Sequence, residues 1–144
     1  MVILSVDYGD VRTGVAVCDK NELLASPVGV IAERRAERLA EKIGSLAARY
    51  GAEQIALGLP KNMDGTEGFR AQACREFAAL LESETGLPVA LRDERLTTVS
   101  AHHYLNATDT RGKKRRETVD AVAAVIILED YLAYRKNAGR EADA

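Results

Sequence analysis

Three carboxylates stand beside apolar stretches of the chain, where acidic residues are uncommon. Asp7 ends the apolar run of residues 2–6, and Glu94 follows the apolar residues 89–91. Asp120 lies in the first turn of an apolar helix predicted for residues 118–135. A buried charge is unfavourable unless it is paired or binds a metal ion, so each position is a candidate for chemistry.

Each carboxylate also has a purely structural explanation. Asp is common where a strand enters a turn, which fits Asp7. Glu94 could pair with the neighbouring Arg95 at a solvated strand end. An acid at a helix N-terminus interacts favourably with the helix dipole, which fits Asp120. The set is therefore more informative than any single member.

Together the three carboxylates predict a metal site. Two carboxylates at the ends of central strands can converge with a third from a helix that lies across the sheet. Oxygen ligands of this kind suit Mg²⁺ or Mn²⁺. A pair of such ions about 3.5–4 Å apart can activate water and stabilise the leaving oxygen of a phosphodiester. His102 and His103 offer no competing site, because adjacent residues on a predicted short helix (residues 99–105) cannot face one point.

Several basic residues are candidates for contact with nucleic acid. Although the net charge of the chain is −2, a dense basic run lies in a predicted flexible loop, residues 106–116, just before Asp120. Basic clusters supply most non-specific affinity for nucleic acid, so phosphate contact is favoured over a merely solvated loop. The run consists of Arg111, Lys113, Lys114, Arg115 and Arg116.

Two further arginines and one polar loop flank the carboxylates. Arg12 and Arg95 are each predicted to contact phosphate or to orient a carboxylate. Asn62, Asp64 and Thr66 follow a predicted strand, on the side where such sheets bind ligands; the alternative is a capped turn leading into the next helix. Aromatic residues make up 5% of the chain and Trp is absent, which favours recognition of backbone shape over base stacking.

The elements that must position these residues form a predicted mixed α/β sheet flanked by helices. Strands at residues 2–6 and 14–18 predict a hairpin, and Pro27 places a third extended piece, residues 24–31, at the sheet edge. Strands at residues 54–57 and 89–91 alternate with helices at residues 34–50 and 69–85, which predicts a parallel half. The two helices are expected to end at Gly51 and Gly86. The sheet thus has three antiparallel strands and then two parallel ones.

The last helix and the chain ends complete the predicted organisation. Val122, Val125, Ile126 and Leu132 are expected to face inward from residues 118–135. One domain is predicted for residues 1–136, with a frayed polar tail at residues 137–144.

The cysteines and the hydropathy indicate a cytoplasmic protein. Cys18 and Cys74 lie in apolar segments and are predicted to be buried, inert thiols in a reducing compartment. No apolar run is long enough to suggest a membrane span. No membrane partner is therefore expected.

Four segments, in order along the chain, resemble the motifs of the YqgF/RuvX family. The segments are residues 7–16 (DYGDVRTGVA), residues 58–60 with 64–68 (GLP and DGTEG), residues 93–98 (DERLTT) and residues 120–128 (DAVAAVIIL). The resemblance implies a ribonuclease-H-like fold related to the junction resolvase RuvC. It also implies that Asp7, Glu94 and Asp120 are metal-binding catalytic acids.

The family resemblance further suggests two nuclease functions. Family members are described as nucleases that mature the 5′ end of pre-16S ribosomal RNA, which is the expected function, and as Holliday junction resolvases, which is the alternative. A resolvase would act as a homodimer, because two symmetric cuts need two sites. RuvC proteins tend to carry a second acid one turn along the last helix, where this chain has Ala123 and Ala124.

Two functions of other classes remain as alternatives. Actin-like ATPases and sugar kinases also open with an acid–x–Gly hairpin, but they need two such domains, and this chain has neither the length nor a P-loop. A non-catalytic nucleic-acid-binding or ribosome-assembly factor could keep the same fold. Absence of metal binding at the three carboxylates would favour that second alternative.

Overall fold

A five-stranded mixed sheet organises the chain. The structure is a computed structural model that describes residues 1–62, 64–93 and 112–143, without the side chains of residues 112–120 and 140–143. The strands lie in the order β3-β2-β1-β4-β5. In chain order the elements are β1 (Ile3–Asp7), β2 (Arg12–Cys18), β3 (Ala25–Ala32), α1 (Ala36–Tyr50), β4 (Gln54–Leu59), α2 (Phe69–Thr85), β5 (Val89–Asp93) and α3 (Gly112–Asp143).

The sheet has an antiparallel half and a parallel half, which confirms the predicted topology. β2 pairs antiparallel with both β1 and β3, and β4 pairs parallel with both β1 and β5. Parallel strands end on the same side, so β1, β4 and β5 end together at Asp7, Leu59 and Asp93. We call this side the carboxyl end of the sheet.

Helices cover both faces of the sheet. Leu4 and Val6 of β1 pack in one core cluster, to which α1 contributes Leu39 and Ile43 and α2 contributes Phe77 and Leu81. Ile3 of β1 instead packs against Leu128 and Tyr131 of α3. Alternate residues of a strand point to opposite faces, so α3 has one face of β1 to itself among the described helices.

The turn between β1 and β2 is tight and needs a glycine. A Cβ built on Gly9 would lie 2.0 Å from the carbonyl O of Arg12. The buried hydroxyl of Thr13 closes the same turn by accepting a bond from the Gly9 amide at 3.2 Å. The sequence signal for this turn is the glycine itself, whereas nothing in the sequence pattern indicates the contribution of Thr13.

Most predicted element positions are confirmed. Pro27 lies in β3 at an edge of the sheet. Gly51 and Gly86 end α1 and α2 in left-handed conformations, with φ of 68° and 71°. Cys18 and Cys74 are both free and buried.

The predicted limits of the last helix are wrong. α3 begins at Gly112, within the predicted flexible loop of residues 106–116, and it continues to Asp143, through the predicted frayed tail. Lys, Arg and Glu are good helix formers, but the ends of α3 lack the apolar periodicity on which the prediction depends. The helix predicted for residues 99–105 and both histidines lie outside the described residues.

The buried stripe of α3 is offset by one residue from the predicted one. Ala123, Ala124, Ile127 and Leu128 are buried, whereas Val122, Val125 and Ile126 are half-buried. Of these three, Val125 packs against the core cluster under α3, as predicted. Residues 121–128 are all apolar, so this stretch contains no polar residue to indicate which side of the helix faces the sheet. Leu132 is buried as predicted.

We predict opposite stability effects for two glycine-to-alanine variants. Gly9→Ala should destabilise the protein by about 1–3 kcal/mol or more, because its Cβ must displace backbone. Gly44→Ala, the control, should stabilise α1 by about 0.5–1 kcal/mol, because its Cβ would meet only Thr85 Cγ2 at 3.5 Å. Urea unfolding would measure both, and a Gly9→Ala protein as stable as wild type would contradict the described turn.

Candidate active site

Asp7 lies at the carboxyl end of the sheet, on the face that α3 covers. It is the last residue of β1 and is half-buried. It pairs across the sheet with Gly14 of β2. Asp7 shares its face with Ile3 and Ser5 by strand alternation. A carboxylate on this face is therefore directed toward the helix that carries Asp120.

The direction of α3 brings the turn that holds Asp120 toward Asp7. The hydroxyl of Ser5 donates to the carbonyl O of Ala124 at 2.6 Å, which fixes α3 over β1 at that point. Further along, Arg135 donates to Glu22 at 2.6 Å, near the opposite end of the sheet. α3 therefore runs antiparallel to β1.

The backbone of Asp120 lies one helical turn before Ala124. That turn spans about 6 Å, and Asp7 lies a similar distance, about 6.6 Å, beyond Ser5 along β1. The two displacements point to the same end of the sheet. The side chain of Asp120 is not among those described.

Glu94 lies outside the described residues, but the strand that leads to it is well placed. It follows Asp93, the last residue of β5, which pairs with Leu59 of β4. Arg92, one residue earlier, forms an ion pair with Asp130 of α3 at 2.9 Å. The same guanidinium lies 4.5 Å from the ring centroid of Tyr134. These contacts join β5 to α3 close to the position where the chain reaches Glu94.

The predicted basic residues fall into three groups. Arg12 begins β2, pairs with Ala32 at the carboxyl end of the sheet, and shares a face with Ala16 and Cys18, which pack in the cluster under α3. Arg95 and Arg111 lie outside the described residues. Lys113, Lys114, Arg115 and Arg116 belong to the first turns of α3, and their side chains are not described.

The polar side chains of the loop after β4 form hydrogen bonds with one another. Asn62 Nδ2 donates to Thr66 Oγ1 at 2.9 Å, and Thr66 Oγ1 donates to Asp64 Oδ1 at 2.6 Å. Gly65 takes a φ of 89° within the loop. This arrangement favours the structural alternative, a closed turn that leads into α2. The N-terminus of α2 itself has no side-chain cap.

An ion pair fastens the same loop to α2. Arg75 donates to both carboxylate oxygens of Glu67, each at 2.7 Å. These bonds lower the pKa of Glu67 and raise that of Arg75. The loop is thus held at the carboxyl end of the sheet independently of Asp7.

Sequence reasoning missed two residues at the start of α2. Arg70 donates to Asp10 and to the carbonyl O of Tyr8, both at 2.6 Å. Phe69 is 90% exposed beside it, which puts one aromatic ring at the carboxyl end of the sheet despite the low aromatic content. Neither residue lies in a pattern of charge or periodicity that would mark it.

The side chain of Asp7 is the one member of the predicted metal-binding set that the structure describes. Carboxylate oxygens are the ligands that Mg²⁺ and Mn²⁺ prefer, and Asp7 supplies one from a fixed strand end. Among the residues whose side chains are described, no group of three His, Cys, Asp or Glu converges. The predicted set needs Glu94 and Asp120, which that description does not include.

Comparison with protein families matches residues 1–134 to the family described as "RuvX: Holliday junction resolvase". The chain belongs to the RuvX family. This confirms the resemblance carried by the four motifs.

Two relatives of this RuvX chain bear the name "Putative pre-16S rRNA nuclease". One, from Halothermothrix orenii, is 44% identical over 94% of this chain and 96% of its own length. The other, from Desulfitobacterium hafniense, is 45% identical over 93% of each.

Solved structures place the fold of this RuvX chain among the ribonuclease-H-like proteins. Thermus thermophilus RuvC, solved with a Holliday junction substrate, matches with a TM-score of 0.59 at 14% identity over 95% of this chain and 96% of its own. Fowlpox virus resolvase, solved with junction DNA, gives a TM-score of 0.57 at 13% identity, over 93% and 98%. At these identities the likeness shows the fold alone, and it confirms the predicted fold class.

No helix within the described parts of the chain is both long and apolar enough to cross a membrane.

We predict that Ser5→Ala destabilises the protein by about 0.5–1.5 kcal/mol. The variant lacks the buried bond that joins β1 to the carbonyl of Ala124. Chemical unfolding monitored by circular dichroism would give the difference. Equal stability of the two proteins would show that this bond does not determine how α3 lies on the sheet.

Proposed function

We propose that the protein is a divalent-metal-dependent endonuclease that hydrolyses phosphodiester bonds in structured nucleic acid. Asp7, Glu94 and Asp120 are its metal-binding catalytic acids. The observation that carries the proposal is the hydrogen bond from Ser5 to Ala124. It sets α3 over β1 so that the turn with Asp120 comes to the end of the strand at Asp7.

The alternation of β5 supports the inclusion of Glu94. Ala90 packs in the cluster under α3, and Arg92 is bonded to Asp130 of that helix, so alternate residues of β5 face α3. One further step of this alternation would direct Glu94 to the same face as Asp7. The two carboxylates would then stand on parallel strands separated by β4.

In the proposed hydrolysis, the three carboxylates would hold the metal ion. A divalent ion bound by the three carboxylates would lower the pKa of an attacking water and stabilise charge on the departing oxygen. Asp7 would contribute a ligand from the end of β1, and Glu94 would contribute one from the residue that follows β5 in the sequence. α3 would contribute the third ligand, Asp120, and the bond from Ser5 to Ala124 joins this helix to β1 one turn further along.

The first turns of α3 support binding to a polyanion. Lys113, Lys114, Arg115 and Arg116 crowd positive charge at a helix N-terminus, and no acidic residue lies in the first turn. This placement opposes the helix dipole and brings like charges together, so it is unfavourable unless phosphates lie nearby. The four residues precede Asp120 by one to two turns, about 6–10 Å along the helix. Arg12, at the start of β2 on the carboxyl end of the sheet, would add a further positive charge.

The relatives favour ribosomal RNA as the substrate. Those over 40% identical across most of the chain carry a name that specifies pre-16S rRNA, so maturation of the 5′ end of that RNA in the cytoplasm is the proposed reaction. The family description specifies Holliday junctions, which makes junction resolution the second candidate. A homodimer is expected only for that second activity, because a resolvase makes paired cuts.

We predict that Asp7→Asn abolishes cleavage of whichever substrate the wild type cuts, by at least about a hundredfold, because it removes a charged ligand of the metal. The wild type and the variant would be incubated with Mg²⁺ or Mn²⁺ and either a four-way DNA junction or an RNA with the extended 5′ end of 16S rRNA. Glu41→Gln, an exposed charge change on α1, is the control and should leave cleavage unchanged.

The outcome separates the candidate functions. Cleavage of one substrate that Asp7→Asn removes would establish the nuclease and identify its substrate class. Tight binding of either substrate without cleavage, and without metal binding, would instead favour the non-catalytic assembly factor. Cleavage that persists in Asp7→Asn would contradict the proposed site.

We also predict that the basic residues of α3 determine the salt dependence of substrate binding. Changing Lys113, Lys114 and Arg116 together to Gln should lower the slope of log affinity against log salt by about 1 for each phosphate that these residues neutralise. A control with equal charge change is Lys20, Arg49 and Lys136 together to Gln, because these residues lie toward the opposite end of the sheet. Fluorescence anisotropy at several salt concentrations would measure both slopes. Equal slopes would exclude phosphate binding by α3.

A further inference from the structure

We propose that Arg70 is a positioning residue that fixes the Asp7 carboxylate for metal binding. This inference rests on the proposed function, because it takes Asp7 to be a metal ligand. Arg70 lies in the first turn of α2, and its guanidinium reaches the segment that directly follows Asp7. It is assigned no contact with the substrate or with the metal.

The guanidinium holds two points of that segment at once. Nη2 donates to the carbonyl O of Tyr8 at 2.6 Å, and Nη1 donates to Oδ1 of Asp10 at 2.6 Å. Tyr8 is the residue next to Asp7, so the first bond fixes the backbone immediately beyond the carboxylate. On the other side, Asp7 is held by its pairing with Gly14. The backbone of Asp7 is thus restrained from both directions.

The ring of Tyr8 completes the attachment to α2. It stacks on Phe77 with 4.2 Å between centroids and 6° between planes. The guanidinium of Arg70 lies 5.7 Å from the centroid of the same ring. The side chain and the backbone carbonyl of Tyr8 therefore both contact α2.

Because the ion pair between Arg70 and Asp10 is exposed, we expect its effect in metal binding and not in global stability. The side chains of Arg70 and Asp10 are 42% and 84% exposed, and exposed ion pairs contribute little to global stability. A fork of two short bonds at a strand end nevertheless restrains local geometry. Residues that orient metal ligands in this way commonly change metal affinity when they are replaced. We therefore expect replacement of Arg70 to affect metal binding more than folding.

Two substitutions separate positioning from simple charge. Lysine keeps the positive charge but is a single point donor, so it does not reproduce the planar fork that reaches two acceptors. Arg70→Lys should therefore behave much like Arg70→Gln if geometry matters. If Arg70 instead binds phosphate as a cation, Arg70→Lys should restore most of the function. Arg75→Gln is the matched control, because Arg75 also forms a forked ion pair on α2, with Glu67.

The experiment measures binding of Mn²⁺ to the protein without substrate, by the decrease of the free-ion signal in electron paramagnetic resonance. Arg70→Gln and Arg70→Lys should each weaken Mn²⁺ binding by about tenfold or more, while Arg75→Gln leaves it unchanged. Thermal unfolding without metal should be similar in all four proteins. The salt dependence of substrate binding should also be unchanged.

Two results would overturn the inference: unaltered Mn²⁺ affinity in Arg70→Gln, or full recovery in Arg70→Lys with a reduced salt slope in Arg70→Gln. Asp7→Asn distinguishes this failure from failure of the proposed function. If wild type and Asp7→Asn bind Mn²⁺ equally, the metal site itself is refuted. If Asp7→Asn alone fails to bind, the site stands and the role of Arg70 does not.

Discussion

The hydrogen bond from Ser5 to the carbonyl of Ala124 is the contact on which the proposed site depends. A small hydroxyl at this position lets α3 approach β1 closely, and Ala123 and Ala124, both buried, present little side chain between helix and sheet. The closeness of α3 determines how far Asp120 stands from the end of β1.

Much of the fold could be predicted because several local signals agree. β1 and β2 are short, rich in residues with branched side chains, and separated by a turn that contains glycine. Gly51 and Gly86 mark helix ends that the structure confirms. The relation between β1, β4 and β5 also follows from the alternation of strands and helices. Such signals are local, so each can be recognised without knowledge of the partner that packs against it.

Other features could not be predicted because they depend on contacts distant in sequence. The buried stripe of α3 is selected by the sheet beneath it, since residues 121–128 are apolar throughout. Arg70 acts on residues 60 and 62 positions away, and no pattern around it indicates those partners. For the site, the motifs identify the three acids, while the structure contributes the placement of Asp7 and the path of α3. The assignments of Asp7, Glu94 and Asp120 as metal-binding catalytic acids stay predictions.

The length of α3 has a consequence for how this chain can diverge. From Ala124 to Gly112 the helix extends about 18 Å, whereas β1 ends only two residues beyond Ser5. The first turns of α3 therefore extend beyond the end of β1. Because the helix is continuous, the packed turns determine the direction in which these first turns point. Each residue inserted between Arg116 and Asp120 would rotate the overhanging basic residues by about 100° relative to the acid. Substitutions in this stretch can be tolerated one at a time, but insertions and deletions are restricted to whole turns.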